Sequence, residues 1–173
     1  MNRGILVVIF GVLIASCASR PPVVQRAGLP PGAELAIISF RDCTINGQED
    51  CDGSGNTAAG IFAEVFSSTS RYLAVPLSRP VGPKEPLTDD EAVKYAKSKG
   101  FPYVMNGEVD EYYRVSPFTF RTERAGVSLR ILRVSDGSVI AFFSQRTHSQ
   151  SNLTTPDKLI KKMAQHVRDS LRE

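Results

Sequence analysis

Histidine is scarce in this sequence, and the motifs that usually accompany catalytic or metal chemistry are missing with it. Only His148 and His166 occur among 173 residues, each isolated. There is no Gly-x-Ser-x-Gly turn to expose a nucleophilic serine, no Gly-Lys-Ser/Thr to cradle a nucleotide phosphate, and no Cys-x-x-Cys to grip zinc. The chain therefore reads as a non-enzyme that needs no cofactor and no metal. Charge of one sign is lacking as well: 21 Lys plus Arg face 18 Asp plus Glu, with no basic block and no interleaving of basic and aromatic residues. Nucleic-acid binding, which rests on dense phosphate contacts, is excluded as the main role. Long apolar runs are also absent apart from residues 4–15, which fall short of the roughly 20 residues a membrane-spanning helix needs. At about 100 to 150 residues per domain, the length leaves room for one domain.

What is present begins with that run. Residues 4–15 follow Arg3, in the order of the basic and hydrophobic regions of a secretory signal peptide. They lead into Ile14-Ala15-Ser16-Cys17, which resembles the bacterial lipobox: an aliphatic residue, two small residues and the cysteine that receives diacylglycerol. The resemblance implies cleavage before Cys17, lipidation of Cys17 with palmitate-type chains, and attachment to a membrane from the periplasmic side. Ala18 stands where an inner-membrane retention signal would place Asp, which implies transport to the outer membrane. Several acyl chains there anchor a protein firmly. Loss of Arg3 with residues 1–16 leaves 20 basic residues against 18 acidic ones, a mild net charge of +2.

Export places Cys43 and Cys51, in the polar stretch from Asp42 to Gly53, in an oxidising compartment. A disulfide closing a short loop is favoured there. The competing reading is a zinc site built with nearby Asp and Glu, but neither histidine lies close in sequence.

Residues 17–33 carry the lipidated cysteine and a tether. Pro21-Pro22, Gly28 and Pro30-Pro31 resist helix and ladder pairing, and residues 18–33 fully extended at about 3.3 Å each reach roughly 50 Å. Residues 34–173 form the periplasmic domain. Glu34 to Phe40 is a short β-branched run typical of a buried strand. From Thr57, the apolar residues Ala58, Ile61, Phe62, Val65 and Phe66 make one helical stripe, with Asn56 or Ser54 as the cap. Tyr72 to Val75 is a second strand. Thr88 and Glu91 form a capping box that starts a helix carrying Ala92, Val93 and Ala96 inward and stopping at Gly100. Three strands follow, at about Tyr103–Val115, Arg124–Val134 and Ser138–Thr147, with Asp136-Gly137 turning the last hairpin. Thr155-Pro156-Asp157 opens a final helix with the stripe Leu159, Ile160, Met163, Ala164, Val167 and Leu171. The order β-α-β-α-β-β-β-α predicts an α/β (α+β) sandwich: a central mixed sheet covered by helices, with a C-terminal antiparallel meander.

Two groupings invite chemistry. The glycine-rich Gly53 to Gly60 precedes a helix whose amides could hold phosphate, but such residues also serve any helix-entry loop. Glu108 and Asp110 share a strand face, with Glu111 on the other, and Arg130 and Arg133 are their expected cross-strand partners. Aromatics gather around the meander at Phe101, Tyr103, Tyr112, Tyr113, Phe118, Phe120, Phe142 and Phe143. Tyr113, Phe118 and Phe120 fall in a long hairpin tip around Pro117, where exposed aromatics commonly form an interface.

The stretch Glu91 to Tyr112 is familiar. Its helix ending in Gly100 and its Tyr103-Val104-Met105-Asn106-Gly107-Glu108-Val109 strand, followed by a strand–turn–strand that closes on Gly137-Ser138-Val139, resemble the PelC-like outer-membrane lipoproteins. These belong to a broader CsgG/LpoB-like group of periplasmic lipoproteins. The match is specific over residues 91–140 and extends over 34–171 as architecture. It implies a non-catalytic accessory protein, assembled as a homo-oligomer, that assists export of an envelope polymer such as an exopolysaccharide. The alternative within the group is a regulator that docks onto a periplasmic enzyme such as a peptidoglycan synthase. The sequence departs from the pattern at Ala141, where Trp is usual, in its additional Cys43–Cys51 loop, and in a net charge that does not suit an acidic funnel.

Overall fold

The computed structural model describes residues 23–25, 27–44, 51–114, 122–149 and 154–171. Its elements are β1 (Val24–Gln25), β2 (Ala33–Ile38), α1 (Ser54–Ser67), β3 (Tyr72–Leu77), α2 (Asp89–Ser98), β4 (Tyr103–Tyr113), β5 (Arg124–Arg133), β6 (Val139–His148) and α3 (Pro156–Ser170). They form one mixed six-stranded sheet in the order β1-β6-β5-β4-β2-β3. The expected α/β sandwich is present, with one additional strand at its start. None of the helices among the described residues is long and apolar enough to cross a membrane.

β2 pairs in parallel with β3 on one side and β4 on the other, so the chain crosses first toward one edge and then back past β2. Two crossovers of the same hand running in opposite directions must place their helices on opposite faces of the sheet. That is what occurs. α1, joined by α3, covers a face built from Leu35, Ile37, Met105, Val127, Leu129 and Phe143, while α2 covers the other face at Ala36, Ile38, Val104 and Leu132. Covered on both sides, Leu35, Ala36, Ile37 and Ile38 are all fully buried, which is why β2 reads as a continuous apolar run rather than an alternation.

The larger core is organised by a chain of aromatic rings. Phe40, Phe62, Phe66 and Tyr72 stand 5.4, 6.4 and 5.8 Å apart in sequence, each buried. Burial of such side chains contributes about 2 kcal/mol each. Gly107 makes room for the first of them: a Cβ there would lie 3.0 Å from the Phe40 ring and 3.1 Å from Leu129. The glycine of the Tyr103 to Val109 strand is thus a packing requirement.

Helix termini follow local chemistry in two cases and long-range chemistry in one. Thr88 accepts the Glu91 amide while Glu91 accepts the Thr88 amide at 2.9 Å, and Thr155 caps α3 with Pro156 in the first turn. α1 instead begins at Ser54, before the expected Thr57, and its N-cap Gly53 has φ 79° and no side-chain cap of its own. The Asp42 carboxylate takes that role from across the loop, accepting from the amides of Gly53 (2.8 Å) and Gly55 (2.7 Å). Two of the amides that an anion would use at this terminus are therefore already taken by a carboxylate, which argues against the phosphate reading of the glycine-rich loop.

Cys43 and Cys51 are joined by a disulfide beside this cap, both buried, with Cα atoms 5.1 Å apart. Closing an eight-residue separation restricts the unfolded chain by about 2.5 kcal/mol on the chain-entropy account. Cys43→Ser with Cys51→Ser is expected to lower stability by about that amount, read as a reduced urea midpoint with a steeper slope, since the released unfolded chain exposes more surface. Unreduced, denatured wild type should present no reactive thiol at either position.

The expected tether is partly built into the domain. Val24–Gln25 pairs antiparallel with β6, opposite Phe142 and Ala141, and Leu29 is 2% exposed within the larger core. The paired segment falls between the two proline pairs, at the one place in the tether where β-branched residues stand together.

Candidate functional site

α2 covers only the upper half of its face, and the lower half of the sheet is left open. Strand pairing assigns its residues. Opposite one another stand Asn106 and Arg130, then Glu108 and Ser128, and on β6 Phe142 faces Arg130 while Ser144 faces Ser128. Opposed residues share a face, so these side chains form one polar surface that includes the large aromatic Phe142, 38% exposed.

A β-bulge between Val109 and Glu111 alters the far end of that surface. Simple alternation puts Glu111 on the core face. The extra residue brings Glu111 opposite Gly126 and Tyr112 opposite Ala125, so Tyr112 is buried and Glu111 joins Glu108 and Asp110 on the open face. The cross-strand partners also differ from the expected ones. Glu108 pairs with Arg41, Asp110 lies 3.9 Å from Arg146 and accepts from Ser128 at 2.8 Å, and Glu111 pairs with Arg124 at 3.4 Å. Arg130 is held by Asp89 at 3.1 Å and Arg133 by Asp136 at 3.2 Å.

Where the open face meets the loop leading into α2, it deepens into a notch of about 190 Å³. Its walls bring together residues from four parts of the chain: Arg41 after β2, Arg79 after β3, Leu87 before α2, and Asn106, Arg130 and Phe142 from the sheet. Backbone geometry fixes Arg41, whose amide donates to Gly107 and whose carbonyl accepts from Val109, both at 2.9 Å. Arg79 donates from Nη1 to the Ser39 carbonyl (3.1 Å) and from Nη2 to the Glu85 carbonyl (2.6 Å). Burial, and then the neighbouring Arg41 charge, pull the Arg79 guanidinium below its ordinary pKa. The Nε atoms of Arg41 and Arg79 are both buried without a hydrogen-bond partner. Asn106 spends both Nδ2 hydrogens on Leu87 O (3.0 Å) and Asp89 Oδ1 (3.2 Å). The Arg130 guanidinium stands 6.0 Å from the Phe142 ring centre.

Of the residues singled out from sequence, Tyr113 ends β4 opposite Arg124 and is half-buried. Its neighbour Tyr112 is buried on the core face and bonded to Asp157 of α3. Burial and then that bond push its hydroxyl up to about 12. Cys17, Phe118 and Phe120 lie outside the described residues. Phe142 and Phe143, adjacent in sequence, divide between the open face and the core, where Phe143 packs 6.2 Å from His166. Asp42, Arg41, Arg79 and Asn106 had no local signal, because each acts through partners distant in sequence.

A mixed six-stranded sheet with two helices on one face and one on the other, half of that second face left open, defines an α/β sandwich class. Within it, the fold is that of PelC. A PelC dodecamer from Paraburkholderia phytofirmans, a single-substitution variant, superposes with a TM-score of 0.61 at 21% identity, covering 88% of this chain and 98% of that one. A second PelC dodecamer from the same organism gives 0.60 at 22% identity, covering 88% and 97%. A DUF330 protein from Xanthomonas campestris gives 0.51 at 10% identity, covering 88% and 93%. No protein-family model and no curated sequence matches the chain. The resemblance read from residues 91–140 thus holds as a shared fold.

Proposed function

We propose that this chain is a lipid-anchored, non-catalytic accessory protein of the periplasmic face of the outer membrane, which assembles as a homo-oligomer and assists export of an envelope polymer. The observation that supports this reading is the fold shared with nearly the whole of a PelC chain solved as a dodecamer. The lipobox-like Ile14-Ala15-Ser16-Cys17 supplies the anchor at the end of the chain that leads into β1. In this reading residues 1–16 are removed, residue 17 carries the lipid, and the domain that follows presents the Tyr113, Phe118 and Phe120 tip to a neighbouring subunit.

The native mass of the mature protein tests this. A discrete oligomer of many subunits is expected, and Phe118→Ala with Phe120→Ala is expected to reduce it to monomer at an unchanged melting temperature, because interface aromatics carry a large share of binding energy. A wild type that is monomeric at all concentrations overturns the assembly reading and favours a docking regulator. A double mutant that unfolds instead places the two rings in the core, where each truncation costs about 3 to 5 kcal/mol.

A further inference from the structure

The Cys43–Cys51 disulfide is sealed inside the folded domain. The two residues are 1% and 2% exposed and lie in the larger core. Both flanks of the bond are held by distant parts of the chain. On the Cys43 side, the Cys43 amide donates to Ser54 Oγ at 3.2 Å, that hydroxyl donates to Cys43 Sγ at 3.8 Å, and the Asp42 amide donates to the Pro83 carbonyl at 2.8 Å. On the Cys51 side, Asp52 pairs with Lys84 at 2.7 Å, and the Gly53 amide is taken by Asp42. Ser54 belongs to α1, and Pro83 and Lys84 belong to the loop between β3 and α2, so the enclosure is complete only when both have docked.

Thiol–disulfide exchange needs a third sulfur to reach one of the two bonded sulfurs. A buried pair offers no such approach, so the bond is neither made nor broken while its flanks are closed. That fixes an order of events: oxidation on the open chain, then folding over the product. We infer that Cys43 and Cys51 are the substrate of a disulfide-donating thiol oxidase that acts on the exported chain before α1 and the β3–α2 loop close over them. One cysteine thiolate attacks the donor's disulfide to give a mixed disulfide. The second attacks the sulfur of the first and expels the donor's thiolate, so the pair loses two electrons and the donor leaves as a dithiol carrying the two protons. The product then prepares α1. Asp42 and Gly53 stand eleven positions apart, and with Cys43 joined to Cys51 the carboxylate is kept near the amides that it caps before the helix forms. Only the export part of the proposed function is used here, since it supplies the oxidising compartment.

Reduction of the purified full-length protein in detergent by dithiothreitol, followed by thiol trapping, reads the sealing. Native protein is expected to be reduced about a hundredfold or more slowly than the same protein in urea, because exchange waits on an opening of the fold. Asp42→Ala, which removes the α1 cap, should speed native reduction about tenfold and leave the rate in urea unchanged. Asp42→Asn, which keeps one acceptor, should fall between and carries the test if Asp42→Ala does not fold. Refolding of reduced protein reads the order. Chain given oxidised glutathione as urea is diluted should close the bond, whereas chain diluted first should either stay unfolded or fold into a form that oxidises about a hundredfold more slowly. In cells lacking their periplasmic thiol oxidase, newly exported chains should present both cysteines as thiols. Equal reduction in buffer and in urea, oxidation of folded reduced protein as fast as that of the open chain, a folded Asp42→Asn no faster than wild type, or prompt pairing in the oxidase-deficient cells each overturns the inference. A bond sealed in vitro in a protein that wild-type cells retain reduced in the cytoplasm refutes the export reading instead.

Discussion

With serine at position 17 the protein is expected to take up no palmitate and to be recovered from the soluble periplasmic fraction, its signal uncut or cut elsewhere. The Cys17 thiol is the single lipid acceptor that the Ile14-Ala15-Ser16-Cys17 sequence provides, and a serine hydroxyl is a far weaker nucleophile than a thiolate. Each buried methylene of an acyl chain contributes about 0.8 kcal/mol to membrane residence, so loss of the chains removes the anchoring as a whole. No helix among the described residues is long and apolar enough to substitute. Metabolic labelling with palmitate, followed by separation of soluble and membrane fractions, reads the result. Continued labelling and sedimentation with membranes would remove the lipoprotein assignment.

The largest expected effect on folding comes from one methyl group. In Gly55→Ala the new Cβ would stand 2.0 Å from the Phe40 carbonyl oxygen, 2.6 Å from its carbon and 2.9 Å from the Asp42 carboxylate. The first two are main chain and the third is the α1 cap, so no flexible side-chain end can yield. Relief requires the first turn of α1 to lift from the end of β2, opening the Phe40 amide to Gly55 carbonyl bond (3.2 Å) and the Asp42 bonds to Gly53 and Gly55. Overpacking together with the lost cap is expected to cost about 4 kcal/mol, a large part of the 5 to 15 kcal/mol that holds a domain folded. Gly60→Ala serves as the control in the same helix. A Cβ there meets nothing within 4 Å, and the substitution should add about 0.5 to 1 kcal/mol of stability. Opposite shifts of the urea midpoint are the expected pair of results; similar shifts would mean that α1 does not seat on Phe40 as described.

Why Gly55 escaped notice in the sequence, while Thr88 and Thr155 did not, is a matter of range. The caps of α2 and α3 are made by residues within three positions of the amides that they satisfy, and the stripe of α3 is periodic within one segment. Such features are written locally, and the sheet order then follows from the crossover rule and hairpin connections. The cap of α1 comes from Asp42 across the disulfide loop, and the arginines of the notch meet only once β2, β3 and β5 are assembled. The one-residue bulge after Val109 is equally silent, because the alternation of β4 can be read through it without contradiction. One signal was available: Phe142 and Phe143 are adjacent in a strand, so one of the two had to leave the core.

The short strand β1 changes the geometry of attachment. A leash that ran free to residue 33 would let the domain wander and tumble some 50 Å from the leaflet. With Val24 fastened to β6, a lipid at Cys17 as proposed would leave only the steps between positions 17 and 24 to span the gap, about 25 Å at full stretch. On that proposal the β1–β6 edge would be the side of the sheet drawn toward the lipid, and the β3 edge, at the opposite end of the strand order, the side held away. A subunit lipidated and moored as proposed would arrive at the membrane already oriented, so neighbours gathering there would meet in two dimensions and in one attitude, with far less rotational freedom left to lose on joining.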